Sequence, residues 1–152
     1  MSDIPIIPDS LHVPKSKDDD FYLLGAGCSI CGYVCFPPKL VCVKCLRDDS
    51  MKRIKLSPFG ILETFAVMQI APPGFTAPYI IGYVKLDNGP LVFTLITQCE
   101  ARNGALEIGE KMELVIEKIG DDKNGNDIVG WKFRPAKKSN DETSLHRWRR
   151  PT

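Results

Sequence analysis

The chain has 152 residues, of which 43% are hydrophobic and 26% are charged. These values are typical of a folded globular domain, alone or with a small satellite. The net charge of +1 disfavours a protein that binds nucleic acid mainly through phosphates. No apolar run approaches the ~20 residues of a membrane-spanning helix, and the N-terminus lacks the regions of a secretory signal. We therefore expect a cytoplasmic protein with no membrane partner.

Residues 1–22 form the first of four predicted segments and read as an extended N-terminal arm. The arm contains three prolines and five aspartates and shows no periodicity. Termini of this kind are usually disordered unless other contacts hold them, so disorder in the free chain is the favoured prediction. The alternative is an arm that lies on a partner through its apolar residues, which are Ile4, Ile6, Ile7 and Leu11.

Residues 23–50 form the second segment and contain five of the six cysteines. Two C-x2-C pairs stand ten residues apart, Cys28 with Cys31 and Cys42 with Cys45. Each pair can wrap one side of a tetrahedral ion, and this spacing is typical of a Zn²⁺ site. Gly32 follows the second cysteine, where a metal-binding turn favours a residue without Cβ. Four thiolates leave no open coordination position, so the pattern predicts one structural Zn²⁺ per chain.

Two other interpretations of the cysteine cluster remain open. A pair of disulfides is disfavoured in a reducing compartment, whereas a mononuclear iron centre would use the same four sulfurs. Cys35 lies between the pairs and is interpreted as a packing residue.

Residues 51–135 form the third segment and predict a β-barrel. Apolar and polar residues alternate between turn signals such as Asn88-Gly89 and Asn124-Gly125. Glu113 and Glu117 are assigned to the solvated face of one strand. The linker 99–110 contains two glycines and is expected to hold at most a short helical turn. The five predicted strands are 61–70, 79–87, 91–98, 111–119 and 127–134.

Five strands in about 85 residues fit an OB-fold. The predicted fold is therefore mainly β, with a rubredoxin-like zinc ribbon followed by a five-stranded OB-fold barrel. The fourth segment, residues 136–152, is predicted to be a basic C-terminal tail and forms the second arm of this architecture.

Several stretches of the sequence resemble the zinc-ribbon plus OB-fold family that is associated with acyl-CoA enzymes. The resemblance extends from about Phe21 to Pro135. It is carried by CSICGYVCFPPKLVCVKC (28–45), SPFGILETF (57–65), APYIIGYVKLDNG (77–89), LEIGEKMELV (106–115) and WKFRP (131–135).

The resemblance implies a non-catalytic subunit of a thiolase-type acyltransferase. Family members accompany a larger thiolase-like catalytic subunit, here expected in a hetero-tetramer. The ribbon lies against this partner, and the OB-fold helps to form the acyl-CoA region near the interface. The chain itself is expected to have no catalytic residue, because both histidines lie in its arms and Cys99 is interpreted as a packing residue.

Six residues are candidates for contact with CoA or with the partner. Phe75 lies on the proline-rich loop 71–78, where it either projects or turns into the core. Cations suit the phosphates of CoA, and an aromatic ring in a basic tail could stack on adenine. The tail could equally serve only solubility. The other five candidates are Lys52, Arg53, Lys55, Trp148 and Arg149.

Two alternative functions remain at this point. One is a partner subunit of a thiolase-like aldolase or hydratase, which would use the same scaffold. The other is a single-stranded nucleic-acid-binding OB-fold protein. Residues 51–134 carry ten basic and ten acidic side chains, and this neutrality makes nucleic acid an unlikely partner.

Overall fold

The computed structural model describes residues 3–136 and contains ten strands and one short 3-10 helix in that range. The candidates Trp148 and Arg149 lie outside the described residues. No helix in the described range is long and apolar enough to span a membrane. The strands are β1 (Asp3–Pro5), β2 (Leu11–His12), β3 (Tyr22–Cys28), β4 (Val34–Cys35), β5 (Met51–Lys55), β6 (Phe59–Met68), β7 (Tyr79–Leu86), β8 (Leu91–Ile96), β9 (Lys111–Asp121) and β10 (Asp127–Pro135).

Strands β6 to β10 close into a five-stranded barrel. Strand β6 pairs antiparallel with β7 and with β9, and β7 pairs antiparallel with β8. Strand β10 pairs antiparallel with β9 and meets β8 in parallel where Phe133 faces Ile96. The predicted OB-fold and its five strands are confirmed. The linker before β9 holds only the 3-10 turn Asn103–Ala105, also as predicted.

The barrel interior is filled by alternating side chains of its strands. Leu62, Val84 and Phe133 are fully buried in one continuous apolar cluster. A Cβ at Gly60 would lie 2.5 Å from the carbonyl oxygen of Lys85. Glycine at this position therefore permits the close strand approach that a small, strongly curved barrel needs.

A second sheet carries the cysteine segment. Strand β3 pairs antiparallel with β2, β4 and β5. The base of this sheet shares the barrel core, because Leu23 of β3 and Leu56 after β5 belong to the same buried cluster. Phe36 adds an edge-to-face contact with Trp131 of the barrel, with ring centroids 5.0 Å apart. The ribbon is therefore packed on the barrel.

The N-terminal arm differs from the favoured expectation of disorder. Strand β1 pairs in parallel with β10, and the Ile6 amide donates to the Val129 carbonyl at 2.8 Å. Strand β2 then joins β3, and Leu11 is only 4% exposed. The arm lies on its own chain because the barrel and ribbon offer it a strand edge and an apolar site.

The expectation of a solvated Glu113 is wrong. Its side chain is 4% exposed and pairs at 2.7 Å with Arg134, which is 5% exposed. Arg134 also donates to Gln98 at 2.6 Å. Glu117 lies nearer the surface and pairs with Lys132. Strand alternation placed Glu113 on the outer face, but that face is covered at this point.

Candidate metal centre and binding surfaces

The two C-x2-C pairs lie in two tight turns. The first turn follows β3, and the Gly32 amide donates to the Cys28 carbonyl at 3.0 Å. Gly32 has a φ of +77°, as predicted for a metal-binding turn. The second turn has the same bond from the Leu46 amide to the Cys42 carbonyl. Leu46 occupies the glycine position there with a φ of +63°.

The four sulfurs of these turns converge. The Cys28 and Cys45 Sγ atoms are 3.6 Å apart, and the Cys31 and Cys42 Sγ atoms are 3.5 Å apart. All four lie within 4.8 Å of one another. Four thiolates at about 2.3 Å from a zinc ion lie about 3.8 Å apart in a tetrahedron. The arrangement therefore fits one tetrahedral metal ion.

Hydrogen bonds favour the metal-binding thiolate form at two of the four sulfurs, Cys28 and Cys42. At Cys31 and Cys45 a backbone hydrogen bond lowers the pKa, but burial and the neighbouring sulfurs outweigh it and raise the pKa, to about 11 for Cys31. The Cys31 amide and then the Ser50 hydroxyl lower the pKa of the Cys28 thiol to about 6. The Ser50 hydroxyl lies 3.2 Å from the Cys28 Sγ atom and is buried with it. The Cys45 amide acts in the same way and lowers the pKa of Cys42. These donors are the outer contacts that orient ligands and tune a metal site.

Cys35 takes no part in this convergence. It lies in β4, is buried, and is absent from the group of mutually close sulfurs among the described residues. Cys99 lies after β8 and packs partly buried against the barrel core. Burial, and next the charge of Glu110, raise the pKa of its thiol.

The barrel carries an open apolar groove of about 910 Å³. Its walls come from β7, β8, β10 and the loop 71–78. Ile6 and Ile7 of the N-terminal arm complete it. The volume falls in the range of small-molecule sites, about 300–1,000 Å³. We refer to this feature as the barrel groove.

Phe75 lies on the rim of the barrel groove and projects, with 51% of its surface exposed. Its ring is tilted on that of Tyr79, with centroids 5.7 Å apart. Of the two sequence alternatives for this side chain, the structure therefore has the projecting one.

The three cationic candidates lie on β5, in the ribbon sheet. Alternation along the strand directs Lys52 to one face and Arg53 with Lys55 to the other. Arg53 lies 3.4 Å from Asp9, and the Lys55 ammonium lies 4.8 Å from the Tyr22 ring centroid. None of the three lines the barrel groove, so the described structure does not bring them to Phe75.

Sequence reasoning missed two exposed apolar surfaces. Tyr83 and Phe93 face each other on the outer side of β7 and β8. The runs YIIGYV and LVFTLI are apolar at nearly every position, which is the signal of a strand covered on both faces. The second surface is the ribbon tip, whose exposed apolar residues are Ile30, Leu40, Val41, Val43 and Leu46.

Comparison with known proteins gives consistent matches. A family model described as "ChsH2, C-terminal OB-fold domain" matches residues 54–117. A DUF35 domain-containing scaffold protein of Methanocaldococcus jannaschii is 35% identical over 118 residues, which are 76% of this chain and 82% of that protein. Benzoylsuccinyl-CoA thiolase subunit BbsA of Thauera aromatica is 29% identical over 127 residues, which are 84% of this chain and 85% of that subunit.

A solved structure described as an Ltp2-ChsH2(DUF35) aldolase shares the fold. Its TM-score is 0.61 at 23% identity, and the match covers 75% of this chain and 84% of that one. The family resemblance seen in the sequence is confirmed by the relative from Methanocaldococcus jannaschii, which this chain matches over most of its length. The chain therefore belongs to the DUF35 family.

Proposed function

We propose that this chain is a non-catalytic, scaffold-type subunit of a thiolase-like acyl-CoA acyltransferase. The observation that carries the proposal is the similarity to BbsA, a thiolase subunit, over 84% of this chain. A match of that extent includes parts of both the ribbon and the barrel. Other relatives are described as scaffold proteins, which agrees with a role in assembly.

The ribbon tip is the proposed contact with the larger catalytic subunit. Leu40 is 78% exposed and Leu46 is 77% exposed. Clustered exposed apolar side chains mark interaction sites on protein surfaces. The apolar tip would be buried by a partner, whereas Lys39 and Lys44 beside it suit a polar rim.

Zinc in the four-cysteine site would hold the ribbon tip in shape. Its four thiolate ligands would be Cys28, Cys31, Cys42 and Cys45, and this closed set suits a structural ion. Metal binding supplies folding free energy to a segment that has little core of its own.

The side chains of residues 3–136 are poorly arranged for thiolase chemistry. Such chemistry needs a nucleophilic thiolate with an adjacent base. His12 instead contacts Asp19 at 2.7 Å and stacks on Tyr22. The raised pKa of Cys99 disfavours its thiolate. We therefore place the nucleophile in the larger subunit.

Acyl-CoA would contact this chain at two places. The barrel groove with Phe75 offers an apolar surface for the acyl or pantetheine part. The cations of β5 suit the phosphates, and we propose that Lys52, Arg53 and Lys55 contact either CoA or the partner. Cleavage of benzoylsuccinyl-CoA with CoA is the candidate reaction, by analogy with BbsA.

Co-purification from the native source tests the proposal. We expect mass spectrometry of the bound partner to identify a larger thiolase-like protein, and thiolase turnover to require both chains. Leu40→Glu should abolish this association without loss of zinc. Leu91→Glu places the same charge on another exposed leucine, in β8 and away from the ribbon tip, and is the control. Turnover by the isolated chain, or recovery of RNA in place of a protein, would contradict the proposal. If the partner is identified as a thiolase-like aldolase or hydratase, the proposed class of the catalytic subunit changes accordingly.

A further inference from the structure

The barrel groove has apolar walls that the described residues leave open. Phe93 is 52% exposed, Phe75 51% and Ile119 51%, and all three line it. Trp131 lines it as well and donates its indole N–H to the Phe93 carbonyl at 3.2 Å. An exposed apolar groove of this kind is typical of a site that binds an apolar group.

The described chain ends beside this groove. Arg134 donates to the side chain of Gln98, which lines the groove next to Cys99. Two residues later, the Ala136 amide donates to the Lys111 carbonyl at 2.9 Å. Residues 137–152 follow, and at ~3.3 Å per residue they can reach roughly 50 Å. That reach is ample for a groove of about 910 Å³ whose lining includes Thr97, Gln98 and Cys99.

The charges near this end of the groove also favour the residues that follow the described chain. The linker 99–110, which leads away from this end of the groove, contains Glu100, Glu107 and Glu110 against Arg102. Glu110 lies close enough to Cys99 for its charge to act on the thiol. The net charge of residues 137–152 is +3. A basic segment is therefore complementary in charge to the linker that begins at this end of the groove.

The lysines of the groove do not oppose this attraction. Lys118 pairs with Asp121 at 2.7 Å and with Asp127 at 3.0 Å. Lys132 pairs with Glu117 at 2.7 Å. These ion pairs offset the positive charge of the two ammonium groups that line the groove.

We propose that the barrel groove is the docking site of the chain's own C-terminal segment, residues 137–152. Leu145 and Trp148 are the large apolar residues of this segment, and Arg147, Arg149 and Arg150 flank the tryptophan. Aromatic anchors flanked by arginine are typical of residues that dominate an interface. Trp148 enters the apolar groove, and the arginines meet the acidic side chains around it.

Covalent attachment makes a weak interaction sufficient. A short tether gives an effective concentration in the millimolar range. A segment with an intrinsic dissociation constant of about 0.1 mM would then occupy the groove roughly nine-tenths of the time at an effective concentration of about 1 mM. The docked segment also competes with any acyl-CoA or partner surface that uses the groove. The inference concerns the free chain and stands independently of the proposed function.

Fluorine NMR of the zinc-loaded full chain tests the proposal. The chain has two tryptophans, so labelling with 5-fluorotryptophan gives two resonances, which Trp148→Phe assigns. We expect the Trp148 resonance to be shielded from a soluble paramagnetic probe. If Phe93→Glu weakens docking about tenfold, or about 1.4 kcal/mol, the occupancy falls from roughly nine-tenths to about one half, and relaxation of Trp148 by the probe should rise about fivefold. Leu91→Glu lies on the same strand and outside the groove, and it should leave the shielding unchanged.

The outcomes separate the possible occupants. A Trp148 that is fully accessible in the unaltered chain would overturn the proposal, as would equal effects of Phe93→Glu and Leu91→Glu. Shielding that disappears on dilution would assign the groove to a second copy and would also overturn it. Shielding that is independent of protein concentration and weakened by salt supports docking within one chain. Zinc content and thermal unfolding of each variant show that the fold is retained.

Discussion

The ribbon and the barrel are stabilised in different ways. Between residues 29 and 50 the buried side chains are Cys35, Cys42 and Ser50, and Ser50 contacts the sulfur of Cys28. The barrel instead buries a continuous apolar cluster that includes Phe133 and Leu62. A short segment without apolar interior would depend on the proposed metal ion for its shape. The ribbon tip can therefore place its large apolar side chains on the outside, where a partner can reach them.

Removal of the metal should give the largest effect and should affect the two regions unequally. Structural zinc sites contribute about 10–16 kcal/mol of apparent binding free energy. We expect a strong chelator, or Cys31→Ser, to abolish stoichiometric zinc and to remove hydrogen-exchange protection from residues 29–50. The barrel strands should keep their protection because their core contains no ligand. Zinc by elemental analysis and amide exchange by mass spectrometry measure both effects.

Cys35→Ser is the matched control for this experiment. Cys31 is exposed and Cys35 is buried, so a loss of packing alone would affect Cys35→Ser more. We expect the Cys35 variant to keep one zinc per chain. An equal loss of zinc in both variants would show that Cys35 is a ligand and that the four-sulfur assignment is wrong.

The buried ion pair between Glu113 and Arg134 tests whether a change in the barrel leaves the metal site intact. Glu113→Gln leaves the Arg134 guanidinium buried without its charge partner, which costs about 3–5 kcal/mol in comparable sites. We expect this loss in the free energy of unfolding of the barrel, with zinc binding unchanged. Chemical denaturation followed by the intrinsic fluorescence of Trp131 and Trp148 measures it.

Glu117→Gln is the control for the ion pair. Its partner Lys132 is 28% exposed in the side chain, and exposed pairs contribute about 0–1 kcal/mol. Similar losses for the two glutamates would mean that burial does not distinguish them. A loss of zinc in the Glu113 variant would mean that the four-cysteine turns depend on the stability of the barrel.

The local features of this fold could be predicted because short-range chemistry determines them. Strand alternation and the Asn-Gly turns located the five barrel strands, and the C-x2-C spacing located the converging sulfurs. The errors involve contacts between distant parts of the chain. Alternation cannot show that Gln98 and Arg134 cover Glu113, or that β10 offers an edge to β1. The groove was missed for the same reason, since Ile6 and Trp131 meet only in the folded chain.

The smallest predicted effect distinguishes the two turns of the metal site. Gly32 and Leu46 occupy equivalent positions with positive φ, a conformation that costs a residue with a Cβ about 1–2 kcal/mol. Leu46→Gly should relieve this cost and tighten zinc binding by up to about tenfold, less the loss from glycine's greater freedom in the unfolded chain. Gly32→Ala should weaken zinc binding by a similar factor. Competition with a chromogenic chelator measures both changes. If both substitutions weaken binding, the Leu46 side chain itself supports the turn.

Leu46 is also part of the ribbon tip. Leu46→Gly should therefore weaken partner binding while it strengthens metal binding, so the two measurements separate the role of the turn from that of the surface.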